Sequence, residues 1–451
     1  MVDPGRLVDR RAEIERLERA WRAGGGLVLV YGRRRIGKTR LLLEWAQGRP
    51  HAYYQASLSG GGENVAGLAA AVEEGLGVRG ASGLRDLRSL IAYTAAALRG
   101  RRAAVIVDEV TYWVGVDPSV ASDLQWAADH VLEGSGLTLV LSGSLLGVVE
   151  RGLAGGGAPL YGRARLRLRL GELEPWCVGE FAPRYQPVDL ARLYSTLGGV
   201  PYYLRLVDDS RSVAWNLAEL LGPGGLLEDE PLFIVRDEVR DPHPYLALLS
   251  ELARLGAARL GKAASRAGIP SSHASAYAAR LALLGLLERV PLIGGGRARL
   301  YRVADKPLRS SLLARGLPPA SPERAAEVVE RLSAIGWEEL AERHSTSVLA
   351  AQLGLTPSLA GKALRRGEEL DWVVLDRERE EALVVEAKWS DLDRASLERL
   401  ARRVEARARR VLPEPYSSYR LTVAVYARSA PAEPPGGALA VRAEDLPWGR
   451  C

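Results

Sequence analysis

Cysteine is nearly absent from this 451-residue chain. Its two cysteines, Cys177 and Cys451, lie far apart and lack metal-ligand spacing. That excludes a disulfide framework and a zinc site as sequence expectations. Cys177 reads as a buried inert thiol and Cys451 as a frayed end. Long apolar runs are also missing, so no bilayer-spanning helix and no membrane partner is expected. The first residues, MVDPGRLVDRRAEIERLERAW, are charged from the start and lack an apolar stretch of signal-peptide type. A cytoplasmic protein is expected. Lysine is scarce too: Lys38, Lys262, Lys306, Lys362 and Lys388 are the only ones, and arginine supplies the rest of the 61 basic residues. Where any positive charge would serve, the chain uses Arg. A retained Lys is therefore worth inspecting, because the planar Arg fork cannot replace a compact point charge everywhere, although Lys262, Lys306 and Lys362 read equally well as accidents. Lys38 and Lys388 fall inside chemical motifs.

What is present describes an ordinary globular protein, with 47% hydrophobic and 26% charged residues. The length suggests about three domains. The net charge of +6 fits contact with a polyanion without identifying one. Apolar strand-like runs at Leu27–Tyr31, Val105–Val107 and Leu137–Leu141 alternate with helical patterns, which predicts an α/β fold with a parallel sheet. The expected organisation is a core over 1–172, a helical lid over 173–240, and a winged helix over 241–305. A linker over 306–322, a third compact α/β domain over 323–430 and a loosely held tail over 431–451 follow.

The segment LVLVYGRRRIGKTRLLLEW holds GxxxxGK[ST] between an apolar strand and an apolar-periodic helix, the context that gives this motif meaning. Gly32 and Gly37 let the backbone curl so that N–H groups face a phosphate, and the helix N-terminus adds partial positive charge. The expected nucleotide-contacting set is Gly32, Arg33, Arg34, Arg35, Ile36, Gly37, Lys38, Thr39 and Arg40. Lys38 would reach the β- and γ-phosphates of ATP, and Thr39 would be a Mg²⁺ ligand. The buried strand AAVIVDEV ends in Asp108, a second expected Mg²⁺ holder, and Glu109, which would orient or deprotonate water. Ser144, ending LTLVLSGS, is either a γ-phosphate sensor or an ordinary strand exit. Arg163 is a candidate for transition-state charge, whereas the Arg/Leu alternation beyond it reads as a strand with one solvated face.

These pieces resemble archaeal ATPases of the AAA-related signalling (STAND) class. The matching segments are LVDRRAEIERL, GRRRIGKT, VIVDE, LVLSGS, PLYGR and LGGVPYYL, within a resemblance spanning roughly Met1 to Asp305. It implies Asp9 and Arg10 near the base and Gly199 and Pro201 near the nucleotide.

From Tyr245 the order of helices and a glycine-rich hairpin suits a winged helix, with Arg266, His273, Arg280, Arg297 and Arg299 near its recognition helix and wing. DNA is the expected partner there. A protein contact or a second copy of the chain is the alternative, because AYAARLALLG offers few groups to read base edges. Farther on, EELDWVVLDREREEALVVEAKW reads as a hairpin. Glu386 and Lys388 share one face, and Asp371 starts the partner strand. Two acids and a lysine could hold a second divalent metal, Mg²⁺ or Mn²⁺, and position water; the plain alternative is a solvated hairpin with cross-strand ion pairs. The pattern resembles the PD-(D/E)xK nuclease superfamily, and in particular the C-terminal domain that follows many archaeal ATPases of this kind. That resemblance implies Glu338, Asp371 and Glu386 as metal ligands and Lys388 as a catalytic residue of DNA cleavage.

Overall fold

The computed structural model describes residues 7–149, 153, 155–222, 224–236, 239, 241–294, 299–314, 322–431 and 437–451. The chain divides into two compact units, one of residues 3–172 with 200–202 and the other of 173–199 with 203–451.

The first unit is an α/β layer structure. Its strands are β1 (Gly26–Tyr31), β2 (His51–Gln55), β3 (Ala103–Asp108), β4 (Leu137–Gly143) and β5 (Ala164–Arg169), in sheet order β2-β3-β4-β1-β5. All pairings are parallel. β1, β3 and β4 are buried along their whole length, which is why they read as unbroken apolar runs. β5 lies at an edge, with Arg165 and Arg169 exposed and Arg167 half-buried. The Arg11–Arg22 and Lys38–Ala46 helices meet through Trp21 and Trp45, ring centroids 5.8 Å apart and edge to face. A large apolar cluster packs the helices from Gly61 to His130 onto the odd-numbered residues of β1, β3 and β4.

In the second unit, the helices His243–Leu255, Leu260–Arg266 and Ser271–Leu283 pack with a small sheet of β6 (Ala258–Arg259), β7 (Leu287–Val290) and β9 (Leu300–Val303), ordered β6-β9-β7. This is the winged-helix arrangement. The wing is not free-standing, however. Its strand β8 (Leu292–Ile293) pairs in parallel with β10 (Leu359–Arg365), at the edge of the C-terminal sheet. That sheet continues through β11 (Glu368–Asp376), β12 (Glu381–Asp391), β13 (Arg420–Ser429) and β14 (Leu439–Arg442), in order β14-β13-β12-β11-β10-β8. The Arg394–Val411 helix covers one face through Leu397, Val404 and Ala408. The Pro322–His344 helix packs on β12 and on the Pro187–Leu197 helix.

Three expectations change here. Residues 306–314, read as linker, form a helix whose first seven residues are buried. KPLRSSLLA looks like a polar connection, but its polar groups are paired inside. Arg309 meets Glu339 at 2.5 Å, Ser310 Oγ donates to Thr196 O (2.6 Å) and Ser311 Oγ donates to Leu227 O (2.6 Å). The stretch from Leu317 to Ser321 lies outside the described residues. The tail is also not loose: β14 joins the sheet, Gly449 N donates to Trp176 O (2.8 Å), and Cys451 forms a disulfide with Cys177. A separation of 274 residues hides such a pairing from any reading of cysteine spacing.

Candidate functional site

The turn after β1 carries the phosphate-binding motif. Gly37 has φ 96°, a conformation open to glycine, and a Cβ at Gly32 would stand 2.4 Å from Leu170 O. Neither position accepts another residue without a shift of the loop. The Lys38–Ala46 helix begins immediately after Gly37, so its unpaired N–H groups point into the turn.

Lys38 is 5% exposed, and its Nζ donates to Gly32 O (3.0 Å) and Arg33 O (3.1 Å). Glu109 Oε1 lies 4.0 Å away. Burial depresses the Lys38 ammonium below its ordinary range, with Arg34 adding to the shift and Glu109 and Asp108 opposing it. Asp108, 1% exposed at the end of β3, accepts four hydrogen bonds. Thr39 Oγ1 (2.6 Å) and Tyr53 OH (2.9 Å) donate to Oδ2, while Ser142 Oγ and Glu109 N donate to Oδ1. Glu109 sits at φ 53°, a left-handed backbone uncommon for a non-glycine residue. Its Oε2 accepts from Ser144 N (3.1 Å) and Ser144 Oγ (2.6 Å).

A hydroxyl, a buried carboxylate and a buried ammonium thus converge on a curled loop at a helix N-terminus. This donor set fits a nucleotide phosphate with Mg²⁺: Thr39 and Asp108 could hold the ion, and Lys38 could exchange loop carbonyls for phosphate oxygens.

The remaining expected residues divide. Arg33 pairs with Glu172 (2.8 Å), Arg34 donates to Tyr112 OH (2.6 Å) and Arg35 stacks 4.9 Å from the Tyr202 ring. Arg40 pairs with Glu44 (2.9 Å) one turn along its helix, and Ile36 is buried. These arginine side chains are engaged around the loop, which leaves its backbone to meet a ligand. Asp9 and Arg10 have left-handed backbones. The buried Arg10 guanidinium donates to Gly171 O (2.7 Å) and Ile36 O (3.4 Å), bracing the loop from behind. Pro201 stands 3.9 Å from where a Gly37 Cβ would be. Gly199 has a packing reason instead: its carbonyl accepts from Leu173 N (2.8 Å), and a Cβ there would meet Leu173 O at 2.2 Å.

Arg163 is a correction. β5 runs parallel to β1 with Leu27 opposite Ala164 and Tyr31 opposite Arg169. Arg163 therefore lies at the opposite end of the sheet from the loop that follows Tyr31, about five strand residues or ~16 Å away. It clamps Asp129, at 2.7 and 2.9 Å.

In the second unit, the register Trp372↔Val385 sets Asp371 opposite Glu386. Lys388 Nζ is 2.9 Å from Glu386 and 3.9 Å from Asp371. Burial lowers the Lys388 ammonium, but Asp371 and Glu386 outweigh it and raise its affinity for the proton. Asp371 Oδ2 also accepts from Ala387 N (2.9 Å), and Arg407 donates to Glu386. Glu338 pairs with the buried Lys362 (3.0 Å). Burial raises the Glu338 carboxyl, helped by Asp371 and Glu369 and opposed by Lys362. The expected residues do come together, but each carboxylate already holds a cation or an N–H. Among the described residues, no group of three acids, histidines or cysteines is arranged to hold a metal ion. The expectation of a ready-made metal site is not met, because Lys362, Lys388 and Arg407 supply the countercharge.

On the winged helix, Arg266 pairs with Glu251 (2.8 Å), Arg280 is half-buried, and His273 and Arg299 are exposed. Arg297 lies outside the described residues.

Sequence reasoning missed Tyr53, Lys362 and Arg407. β2 was not recognised as a strand, so Tyr53 had no place beside Asp108. Lys362 did carry a signal, the scarcity of lysine. Lys306 carried the same one: its Nζ lies 3.4 Å from Glu339 and 4.5 Å from the Tyr194 ring.

Over 431 residues, 92% of this chain and 94% of the other, the sequence is 24% identical to the uncharacterized protein MJECL04 of Methanocaldococcus jannaschii. The Walker-type ATPase PABY2304 of Pyrococcus abyssi shares the fold with a TM-score of 0.53 at 18% identity, over 69% of this chain and 97% of that one. The ORC2 protein of Aeropyrum pernix, in ADPNP–ADP complexes, gives a TM-score of 0.43 at 16% identity, over 74% and 96%. No helix among the described residues is long and apolar enough to cross a membrane. Residues 7–207 match the family model of an ATPase domain found predominantly in Archaea.

Proposed function

We propose that the chain is a Mg²⁺-dependent ATPase whose nucleotide state governs a DNA-binding C-terminal half. The observation that carries this reading is the convergence of Lys38, Thr39 and Asp108 on the glycine-hinged loop, with Thr39 Oγ1 2.6 Å from Asp108. In this reading Lys38 binds the β- and γ-phosphates, Thr39 and Asp108 hold Mg²⁺, and Glu109 orients the attacking water once released from Ser144. The ion supplies charge neutralisation on the phosphates. Turnover measured with and without duplex DNA tests the coupling: DNA-stimulated, repeated hydrolysis supports it, and a rate indifferent to DNA counts against it.

One observation favours a second reading, a slow nucleotide switch. Ser144 holds Glu109 by two hydrogen bonds on one carboxylate oxygen, a posture suited to low basal turnover. Near-stoichiometric slow hydrolysis in the same assay supports the switch, with the C-terminal domain as a recognition module. DNA cleavage would further require Asp371 and Glu386 to exchange Lys388 and Arg407 for a metal. Incubation with circular single- and double-stranded DNA and Mg²⁺ or Mn²⁺ tests that step, and intact circles exclude it.

A further inference from the structure

The Arg394–Val411 helix carries arginines at 399, 403, 407 and 410. Spacings of four, four and three place them on one stripe. The stripe flanks the buried face made by Leu397, Leu400, Val404 and Val411 and runs for about 16 Å. Like charges one turn apart work against an isolated helix, so the row needs an external reason. Carboxylates answer part of it: Arg407 pairs with Glu386, and Arg410 with Glu368 at 2.6 Å. Arg399 and Arg403 are exposed, and among the described residues neither forms an ion pair with a carboxylate, although the Arg399 charge helps hold Asp393 below its ordinary range. Arg399 donates to the hydroxyl of Ser396 (3.0 Å).

A second basic element adjoins the first. Arg365 and Arg366 sit exposed at the turn between β10 and β11, and Arg365 donates to the carbonyl of Arg410 (3.3 Å). Near the same end, a Cβ on Gly294 of the wing would lie 3.1 Å from Pro413. The basic row therefore extends from the helix onto the hairpin turn, next to the wing.

We propose that this arginine row is a sequence-independent contact for the backbone of duplex DNA. Arginine forks match phosphate oxygens bidentately. A stripe of about 16 Å is long enough to face roughly two or three successive phosphates of one strand. Arg399, Arg403, Arg407 and Arg410 have no aromatic side chain among them on which unpaired bases could stack, which favours a duplex over a single strand. The proposal rests on the reading of the C-terminal half as DNA-facing, but not on ATP hydrolysis and not on the winged helix.

The test is fluorescence anisotropy of the full chain with 20-base-pair duplexes of two unrelated sequences, from 50 to 300 mM salt, without nucleotide. Arg399→Gln with Arg403→Gln should weaken both duplexes alike, on the order of tenfold, and flatten the log–log salt slope by about 1.8. Arg394→Gln with Arg402→Gln removes the same charge from the other side of the helix and should bind like the unaltered protein. Basal ATP turnover should be unchanged in both pairs. Equal weakening by the two pairs, weakening by neither, or tighter binding of single-stranded DNA overturns the proposal. If His273→Ala with Arg299→Gln abolishes binding while the stripe variant does not, the DNA-facing reading stands through the winged helix and this surface is wrong. No duplex binding by the unaltered protein at 50 mM salt defeats both.

Discussion

Replacing Arg309 by Met strikes the most deeply buried ion pair among the described residues of the second unit. Arg309 is 1% exposed and Glu339 8%. Arg309 lies 2.5 Å from Glu339, with Lys306 at 3.4 Å and Arg302 at 4.0 Å from the same carboxylate. Removing one partner of a buried pair costs about 3–5 kcal/mol, because the other charge is left without its countercharge. Lys306 and Arg302 remain, so the lower end applies, about 3 kcal/mol. At roughly 2–3 °C per kcal/mol for a unit of this size, the melting transition should fall by roughly 6–9 °C. Burial alone would raise the Glu339 carboxyl, but Arg309, Lys306 and Arg302 hold it far below the usual range. A depressed carboxylate contributes stability above its unfolded pKa and loses it as pH falls through the folded value. With Arg309 gone the folded value rises, so the acid loss should begin closer to neutral pH. Scanning calorimetry at several pH values reads both effects. A single variant that melts within 1 °C of the unaltered protein, or an acid loss that does not move toward neutral pH, refutes the reasoning.

Thr39→Val should keep the loop but remove the proposed Mg²⁺ ligand, so nucleotide binding should lose most of its dependence on Mg²⁺, as titration calorimetry with and without the ion would show. Manganese titration of the full-length Lys38→Ala variant should reveal no tight site in the C-terminal domain, because Lys388, Arg407 and Lys362 already neutralise its acids; uptake that disappears on adding Asp371→Ala would reverse that conclusion. Alkylation of the native chain without reductant should label neither Cys177 nor Cys451, and mass spectrometry would detect either adduct.

The sequence was most informative where one segment contains its whole reason. The loop from Gly32 to Thr39 and the strand ending in Asp108 were legible because turn, strand and helix are contiguous and each has its own composition. The Glu386–Lys388 face followed from strand alternation, and its opposition to Asp371 from a short hairpin. What stayed hidden depends on distant partners. The Lys306–Ala314 helix looks polar until Glu339, Thr196 and Leu227 are brought to it. Arg163 reads from the sequence as a candidate for transition-state charge, but the parallel register of β5 on β1 places it at the far end of the sheet. Strand β8 reads as half of a wing, and only the fold shows it extending a second sheet. Arg407 could not be assigned to Glu386 from sequence, since one arginine among many carries no mark of its partner.

The most direct test of the central claim compares Mg-ATP binding and multiple-turnover hydrolysis in the unaltered protein, Lys38→Ala and Glu109→Gln. Lys38→Ala should lose tight binding, because Lys38 is the charge placed inside the curl of the loop while the neighbouring arginines are engaged around it. Glu109→Gln should bind as tightly as the unaltered protein while its turnover falls by about 10²–10⁴-fold, the usual contribution of a positioned base. Unimpaired Mg-ATP binding by Lys38→Ala, or hydrolysis by Glu109→Gln at the unaltered rate, would contradict the account.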